Sequence, residues 1–304
     1  MNPLGPAVLT IGVFDGVHRG HAAVLAEARG LASGRARVVV MTFDPHPAQV
    51  VGGAEPQQLV SLQDRVARLR TAGADEVRVL RFRPEVAALT AQEFFARFVF
   101  PFADLQGLVV GYDFALGQGR RGNQDALKDL GRSRGFPVHA VGPLESGGAP
   151  VSSSRIRELV VAGRVAEAGE LLGAAVRLEG VVGHGAGRGA GIGFPTANLE
   201  PVPGRVVPGD GVYAVWVSAG SSWLPGVVNV GTRPTFGGGE RAVEAHILDP
   251  VGDLRGRRLT VEFVRRLRGE RKFNDVKELQ DAIRSDVAST RALLQEPRPA
   301  DNPA

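Results

Sequence analysis

The stretch "PAVLTIGVFDGVHRGHAAVLAEARGLA" (residues 6–32) decides the fold of the chain. Residues 6–14 form a short apolar run, which is typical of a buried strand, and residues 20–32 carry apolar side chains at helical spacing. A glycine-rich turn containing His18 and His21 joins the two segments. A strand that passes through such a turn into a helix is a building unit of parallel α/β sheets.

The first half of the chain repeats this alternation. Further strands are predicted over 37–44, 76–82, 105–114 and 136–142, and further helices over 61–73, 90–100 and 123–135. Because the strands are nearly continuous apolar runs, we predict a doubly wound parallel sheet covered by helices on both faces. Such sheets bind ligands at the carboxyl ends of their strands, which is where "GVFDGVHRGH" (12–21) lies.

The second half has a different pattern. A helical segment over 162–173 is followed by short strands, punctuated by glycine and proline, over 176–183, 211–218, 224–231, 242–249 and 257–267. These predict a small antiparallel β-barrel. A helix over 275–294 closes it, with Val276, Leu279, Ile283 and Val287 on its apolar face. We place the domain boundary near Gly173, which gives domains 1–173 and 174–296 and a disordered tail, 297–304.

The composition excludes several classes of protein. The 304 residues include no cysteine, which excludes disulfides, thiolate metal sites and cysteine nucleophiles and fits a reducing compartment such as the cytoplasm. No stretch approaches the ~20 apolar residues of a membrane helix, and the first residues do not resemble a signal peptide. The net charge of +4 comes from scattered arginines. It fits either anionic partners, nucleic acid or nucleotides, or a general preference for arginine. With the motifs described below, we expect small-molecule partners and no nucleic-acid or membrane partner.

The two histidines have three possible roles. A zinc site needs three or four ligands, and none of the remaining histidines, His46, His139, His184 and His246, lies at a metal-like spacing. A helix N-terminus offers free N–H groups and the positive end of its dipole to an anion. Phosphate binding is therefore the favoured interpretation, and a structural role is the alternative.

The motifs of the chain resemble those of a known family. "GVFDGVHRGH" resembles the HxGH motif of the nucleotidyltransferases, specifically of the prokaryotic bifunctional riboflavin kinase/FAD synthetases. "TFDPHP" (42–47), "GYDFALG" (111–117) and "VSSSRIRELV" (151–160) match the adenylyltransferase half. "GHGAGRGAGIGFPTANL" (183–199), "NVGTRPTF" (229–236), "VEAHILD" (243–249) and "LRGERKF" (267–273) match the kinase half. The resemblance implies that Mg²⁺ and ATP phosphorylate riboflavin to FMN, and that a second ATP converts FMN to FAD.

In the first half, the resemblance implies that His18 and His21 are catalytic. The ATP-binding residues that it implies are Gly12, Phe14, Asp15, His18, His21, Asp113, Ser153, Ser154, Arg155 and Arg157, and the substrate-binding residues are Asp44, Pro45, His46 and Asp113. Adenylyl transfer needs no covalent intermediate, so positioning and charge neutralisation suffice. By residue chemistry alone, the serines and arginines would equally form a capped helix with surface charges. The chain departs from the family pattern at Ser154, Ala115 and Leu116.

In the second half, the resemblance implies that Gly187, Gly193, Thr196 and Asn198 bind ATP, that Thr196 and Asn198 hold Mg²⁺, and that Arg271 binds substrate. The glycine-rich segment lacks the Lys-Ser/Thr of a Walker A loop. Thr196 and Asn198 offer neutral oxygens on one side of an extended chain, which suits Mg²⁺. Glu244 is the expected base, although a solvated strand glutamate is the alternative. The chain departs from the family pattern at Pro250 and Arg255.

Two other functions stay open at this point. One is an adenylyltransferase for another mononucleotide with a degenerate kinase domain, and the other is a non-enzymatic flavin- or RNA-binding protein. The kinase motifs in the same chain argue against the first. Intact His18, His21, Thr196, Asn198 and Glu244 argue against the second.

Overall fold

A computed structural model describes residues 5–52, 56–183, 188–219, 222–232, 241–249, 252–295 and 298. The chain forms two compact units that divide between Ser153 and Ser154. Among the described residues, no helix is long and apolar enough to cross a membrane.

The first unit is a five-stranded parallel sheet with helices on both faces, as predicted. Its elements are β1 (Pro6–Ile11), α1 (Arg19–Ala32), β2 (Arg37–Asp44), α2 (Pro47–Gly52), α3 (Leu62–Thr71), β3 (Glu76–Arg81), α4 (Pro84–Ala87), α5 (Ala91–Phe98), β4 (Asp104–Gly111), α6 (Gln124–Arg134), β5 (Val138–Val141) and a small hairpin, β6 (Glu145–Ser146) and β7 (Ala149–Pro150). The strand order is β3-β2-β1-β4-β5.

Alternating side chains of β1 explain why both faces are covered. Ala7, Leu9 and Ile11 pack with apolar residues of α5 and α6 on one face, whereas Val8 packs with α1 on the other. Strands β2 and β3 lie on one side of β1, and β4 and β5 lie on the other side. The order of the strands therefore reverses between β1 and β4. The carboxyl ends of these strands form the edge at which ligands bind in such sheets.

The second unit is a closed antiparallel barrel. Its elements are α7 (Ser153–Val161), α8 (Val165–Leu172), β8 (Val176–Gly183), α9 (Arg188–Gly191), β9 (Ala197–Pro201), β10 (Gly211–Ala219), β11 (Ser222–Thr232), β12 (Arg241–Ile247), β13 (Arg258–Arg268) and α10 (Val276–Leu293). The six strands close in the order β10-β11-β12-β9-β8-β13. The fold class predicted for this half is confirmed, although β9 was not among the predicted strands.

The predicted apolar face of the closing helix is partly wrong. Val276 is 58% exposed, and the buried residues of α10 are Ala282, Asp286 and Thr290. Asp286 is tolerated there because Arg268, at the end of β13, donates to it from Nη2 at 2.8 Å and from Nε at 3.1 Å. A carboxylate on a helix is normally predicted to be exposed. Asp286 instead lies against the barrel, where it is paired with Arg268.

One residue of the predicted tail has defined contacts. Arg298 pairs with Glu262, a buried residue of β13, and its guanidinium lies 4.0 Å from the centre of the Trp223 ring. The other residues of 297–304 lie outside the described part of the chain.

Candidate active sites

The turn after β1 is strained and tightly held. Phe14, Gly16 and Val17 have φ values of 56°, 83° and 48°, a region that is costly for residues other than glycine. The Phe14 side chain is buried and meets the His21 ring edge-on, at 5.0 Å between centroids. The turn delivers His18 to the N-cap of α1.

His18 and His21 lie together at the N-terminus of α1. Their rings stack with centroids 3.6 Å apart, and His18 Nδ1 accepts a bond from the His21 backbone N–H at 3.4 Å. Neutral His18 therefore carries its proton on Nε2. His18 is 6% exposed, and this burial lowers its pKa to about 4. Burial, followed by the neighbouring His18, lowers the pKa of His21 well below its usual value. Both rings are neutral at pH 7.

Gly20 makes room for the pair. A Cβ atom at this position would lie 3.1 Å from the Nδ1 and Cε1 atoms of His18. A side chain at position 20 would therefore require the His18 ring to shift by a few tenths of an ångström.

Hydrogen bonds of Asp15 hold the turn between β1 and α1 in place. Asp15 is 4% exposed and accepts bonds from the backbone N–H groups of Leu59, at 2.9 Å, and Val60, at 3.4 Å. The Ser153 hydroxyl donates to the Asp15 carbonyl at 2.8 Å. The structure thus brings Asp15 and Ser153 together at the turn.

Sequence reasoning missed Arg65, which is 1% exposed on α3. Its Nη1 donates to the Val13 carbonyl at 2.8 Å. Burial lowers the pKa of Arg65, and the carboxylates of Asp15 and Asp44 oppose that change. The sequence gives one indication that Arg65 is buried: it lies four residues before Leu69, on the same face of the helix.

The remaining predicted residues of the first unit lie in loops at the carboxyl edge. Asp44 is the last residue of β2, Pro45 and His46 follow it, and His46 Nδ1 accepts from the Ala48 N–H at 3.1 Å. Gly12 follows β1. Asp113 follows β4 and is exposed, and its backbone carbonyl accepts from Arg120 at 2.7 Å. The strand order therefore brings the ends of β1, β2 and β4 to one edge.

The other predicted residues, and the positions at which the chain departs from the family pattern, are placed as follows. Leu116 is buried in the core of the first unit and forms a bridge with Gly122, so its role is packing. Ser154, Arg155 and Arg157 form the first turns of α7 in the second unit, where Arg157 Nη1 donates to the Ser154 hydroxyl at 3.3 Å. Arg255 forms a surface ion pair with Asp253 at 2.6 Å. Pro250 and Gly187 lie outside the described residues.

The barrel holds a cavity of about 260 Å³. Its apolar wall includes Ile192, Phe194, Val212, Val227, Phe273, Leu279 and Ile283. Its polar lining includes Thr196, Asn229, Glu244, His246, Glu270 and Arg271, beside the Arg268–Asp286 pair. Arg271 lies over the Phe273 ring, 4.8 Å from its centre. An apolar chamber with a few convergent polar groups is typical of a small-molecule site.

Strand register places three polar residues side by side, and two of them, Glu244 and Asn229, line the cavity. Glu244 on β12 is opposite Asn198 on β9 and opposite Asn229 on β11. Directly opposed residues have Cβ atoms about 4.5–5.5 Å apart. Asn229 also donates from Nδ2 to Glu270 Oε1 at 3.5 Å. The sequence predicted roles for Glu244 and Asn198, whereas Asn229 and Glu270 lie in the quoted motifs 229–236 and 267–273 without a predicted role.

The donors here fit Mg²⁺ better than a transition metal. Among the described residues, no group of three or more histidine, aspartate and glutamate side chains is arranged to hold a metal ion. Thr196 and Asn198 have neutral side-chain oxygens, and Glu244, opposite Asn198, has a carboxylate. Mg²⁺ accepts such a sparse protein set, because it keeps water and binds substrate phosphates.

The segment before β9 is held at several points. Gly193 has a φ of +86°, Phe194 N–H donates to the Gly189 carbonyl at 2.8 Å, and Gln280 donates to the Ile192 carbonyl at 3.2 Å. His246 contacts the Pro195 carbonyl at 2.8 Å. His246 was also missed, although it follows Glu244 by two residues on the same face of β12.

Comparison with known proteins identifies the family. The sequence model of FAD synthetase matches residues 2–155, and that of riboflavin kinase matches residues 172–294. The bifunctional riboflavin kinase/FMN adenylyltransferase of Escherichia coli strain K12 is 39% identical over 304 residues, which covers 98% of this chain and 96% of the relative. The chain belongs to this bifunctional family.

Further relatives agree with the family assignment. The riboflavin kinase/FMN adenylyltransferase of Pseudomonas fluorescens is 41% identical, over 94% of this chain and 92% of its own length. A solved structure from Streptococcus pneumoniae, described as a macrolide-efflux protein, has a TM-score of 0.87 and 34% identity, with 94% of both chains covered. The two proteins therefore share their fold over nearly the whole length of both chains.

The family defines the reactions. The protein is an enzyme that phosphorylates riboflavin to FMN and adenylylates FMN to FAD, with the FAD synthetase region first and the kinase region second. The predicted family, fold class and activities are confirmed. ATP, riboflavin, FMN and FAD are its substrates and products.

Proposed function

We propose that each reaction is carried out by its own set of residues, one at the carboxyl edge of the sheet and one at the barrel cavity. The stacked pair of neutral histidines carries the first assignment. His18 presents Nε2–H, and within the described residues the buried Nδ1 of His21 has no hydrogen-bond partner. Both lie at a helix N-terminus, which favours anions. We assign them to the phosphates of ATP during adenylyl transfer.

Neutral rings suit this reaction. An oxygen of the FMN phosphate forms a bond to the α-phosphorus of ATP, the bond to the β-phosphate oxygen breaks, and pyrophosphate leaves. The attacking oxygen of a phosphate dianion carries no proton, so no base is needed. Donors aimed at the charge that develops on the phosphates are sufficient.

The supporting residues of this half are proposed in two groups. Gly12, Phe14, Asp15 and Ser153 shape the turn that presents the histidines, and Ser154, Arg155 and Arg157 supply donors to the ATP phosphates. Asp44, Pro45, His46 and Asp113, in the loops beside the turn, contact FMN, and Asp113 also contacts ATP.

For the kinase, the register of β9 and β12 carries the assignment. Glu244 accepts the proton of the riboflavin 5′-hydroxyl as its oxygen bonds to the γ-phosphorus of ATP and ADP leaves. Thr196 and Asn198 would hold Mg²⁺, which when bound supplies positive charge to the ATP phosphates. Gly187 and Gly193 are assigned to ATP binding, and Arg271 is assigned to contact with the flavin.

The kinase assignment is tested with Glu244→Gln in the full chain. The change should lower turnover of riboflavin to FMN by about 100-fold or more, while the KM values for riboflavin and ATP stay within about threefold, because the lost group acts only in transfer. Glu179→Gln is the matched control, since Glu179 lies on β8 outside the cavity lining. Normal riboflavin turnover in Glu244→Gln would remove Glu244 as the base.

Two broader assignments accompany these roles. Residues 1–173 and 174–296 are the proposed functional domains, and residues 297–304 are the proposed tail. The lack of cysteine in the sequence is compatible with a reducing compartment, and the cytoplasm is the proposed location.

A further inference from the structure

His246 contacts both residues that precede Thr196. Its Nδ1 lies 2.8 Å from the Pro195 carbonyl oxygen, and its ring meets that of Phe194 edge-on, with centroids 5.5 Å apart and planes at 81°. A carbonyl oxygen only accepts hydrogen bonds, so Nδ1 carries the proton and donates it.

This bond acts on the one free torsion of Pro195. The proline ring fixes φ near −65°, which leaves ψ as the soft dihedral. Rotation about ψ turns the planar peptide that contains both the Pro195 carbonyl and the Thr196 nitrogen. A donor on the Pro195 carbonyl therefore sets the direction in which the chain enters Thr196 and then β9.

The same strand supplies the proposed base. Glu244 and His246 are two residues apart on β12, so they project from one face, and both line the cavity. Glu244 is opposite Asn198, and His246 reaches the residue before Thr196. Three other described hydrogen bonds of this segment, Ile192 to Gly189, Phe194 to Gly189 and Gln280 to Ile192, lie further from Thr196 along the chain.

We propose that His246 is a positioning residue of the kinase: it orients the Pro195–Thr196 peptide so that Thr196 binds Mg–ATP. The proposal rests on the role of Thr196 proposed above. His246 acts through Thr196, and its removal should change Mg–ATP binding more than the transfer step.

The test uses the full chain with three substitutions. His246→Phe keeps a ring against Phe194 and removes the donor. His246→Asn keeps an N–H near the position of Nδ1, whereas His246→Gln places its amide near the position of Nε2, away from Pro195. Riboflavin phosphorylation is measured over a range of ATP at several Mg²⁺ concentrations, and thermal melts monitor folding.

We expect His246→Phe and His246→Gln to raise the KM for Mg–ATP about 3- to 10-fold, the effect of one neutral hydrogen bond. The kcat and the KM for riboflavin should stay within about twofold of the parent values. His246→Asn should restore the KM for Mg–ATP to within about twofold. His139→Phe is the matched control, because His139 lies on β5 of the other unit and pairs with Glu27.

Two results would overturn the proposal: an unchanged KM for Mg–ATP in His246→Phe and His246→Gln, or an equal rise in His246→Asn and His246→Gln, which would assign the effect to ring shape. If His246→Phe does not fold, the comparison of Asn with Gln decides. Thr196→Val separates this proposal from the role of Thr196. If Thr196→Val leaves the KM for Mg–ATP unchanged, both fall. If it raises that KM and His246→Gln does not, only the positioning role falls.

Discussion

Acidification should leave His18 and His21 uncharged well below the pH at which free histidine titrates. Burial lowers the pKa of His18 from 6.5 to about 4, and the pKa of His21 is also lowered. At pH 5.5, a group with a pKa of 4 is about 3% charged, whereas free histidine is about 90% charged. At pH 7.5, the charged fraction of His18 is only about 0.03%, so a mechanism that needs an imidazolium would depend on a very rare species.

The same change in pKa makes the stability of the first unit depend on pH. Folded His18 binds fewer protons than unfolded histidine between pH 6.5 and about 4. The free energy of unfolding should therefore fall as the pH drops through that window, by about 3 kcal/mol in total for His18. His18→Gln, which carries no titrating group, should lack this part of the acid sensitivity.

Imidazole NMR measures the central quantity directly. The chain has six histidines, and the signals of two of them can be assigned as those lost in His18→Gln and in His21→Gln. We expect neither signal to move between pH 7.5 and 5.5. Because FMN and ATP titrate themselves, the activity test is the ratio of parent to His18→Gln rates of FAD formation, which should not change between pH 5.5 and 8. A His18 titration near pH 6.5 would refute the neutral-donor account.

Three further predictions follow from the packing. Gly20→Ala should lower FAD formation about 10-fold and spare FMN formation, because its Cβ would lie 3.1 Å from the His18 ring; an unchanged rate would contradict the packing argument. Arg65→Met should lower the free energy of unfolding of the first unit by about 1.5–3 kcal/mol in denaturant titrations, whereas Arg70→Met, on the exposed face of the same helix, should change it little. A fragment of residues 174–296 should phosphorylate riboflavin without the rest of the chain. A fragment of residues 154–296 should have a higher melting temperature, because it keeps α8 against β8 and β13. If both fragments fold but neither is active, the kinase needs the first unit.

Much of the fold was readable from the sequence because its strands are apolar runs between turn residues. Strands β2 and β8 have the bounds that were predicted, 37–44 and 176–183. Strand β9 was missed because it is short and Leu199 is its one buried residue, so no alternation marks it.

The site was only partly predictable for a different physical reason. Motifs pointed to His18, His21, Glu244 and Asn198, but charged and polar residues are expected at the surface. Arg65 and Asp286 are buried because a tertiary partner compensates each, and such partners are far away in sequence. The neutrality of the histidines likewise comes from burial and, for His21, from the neighbouring His18, and spacing does not encode the burial.

The division of the chemistry between two sites is tested most directly by incubating the 304-residue enzyme with Mg²⁺, ATP and either riboflavin or FMN. The flavins are then separated by chromatography. With His18 and His21 both changed to alanine, riboflavin should be converted to FMN and no FAD should form from either substrate, and the parent protein should contain no stoichiometric zinc. With Glu244→Gln, supplied FMN should still become FAD while riboflavin remains largely unphosphorylated. Loss of both activities in either folded variant, FAD formation without the two histidines, or zinc that disappears with them would contradict the division of the chemistry between the two sites.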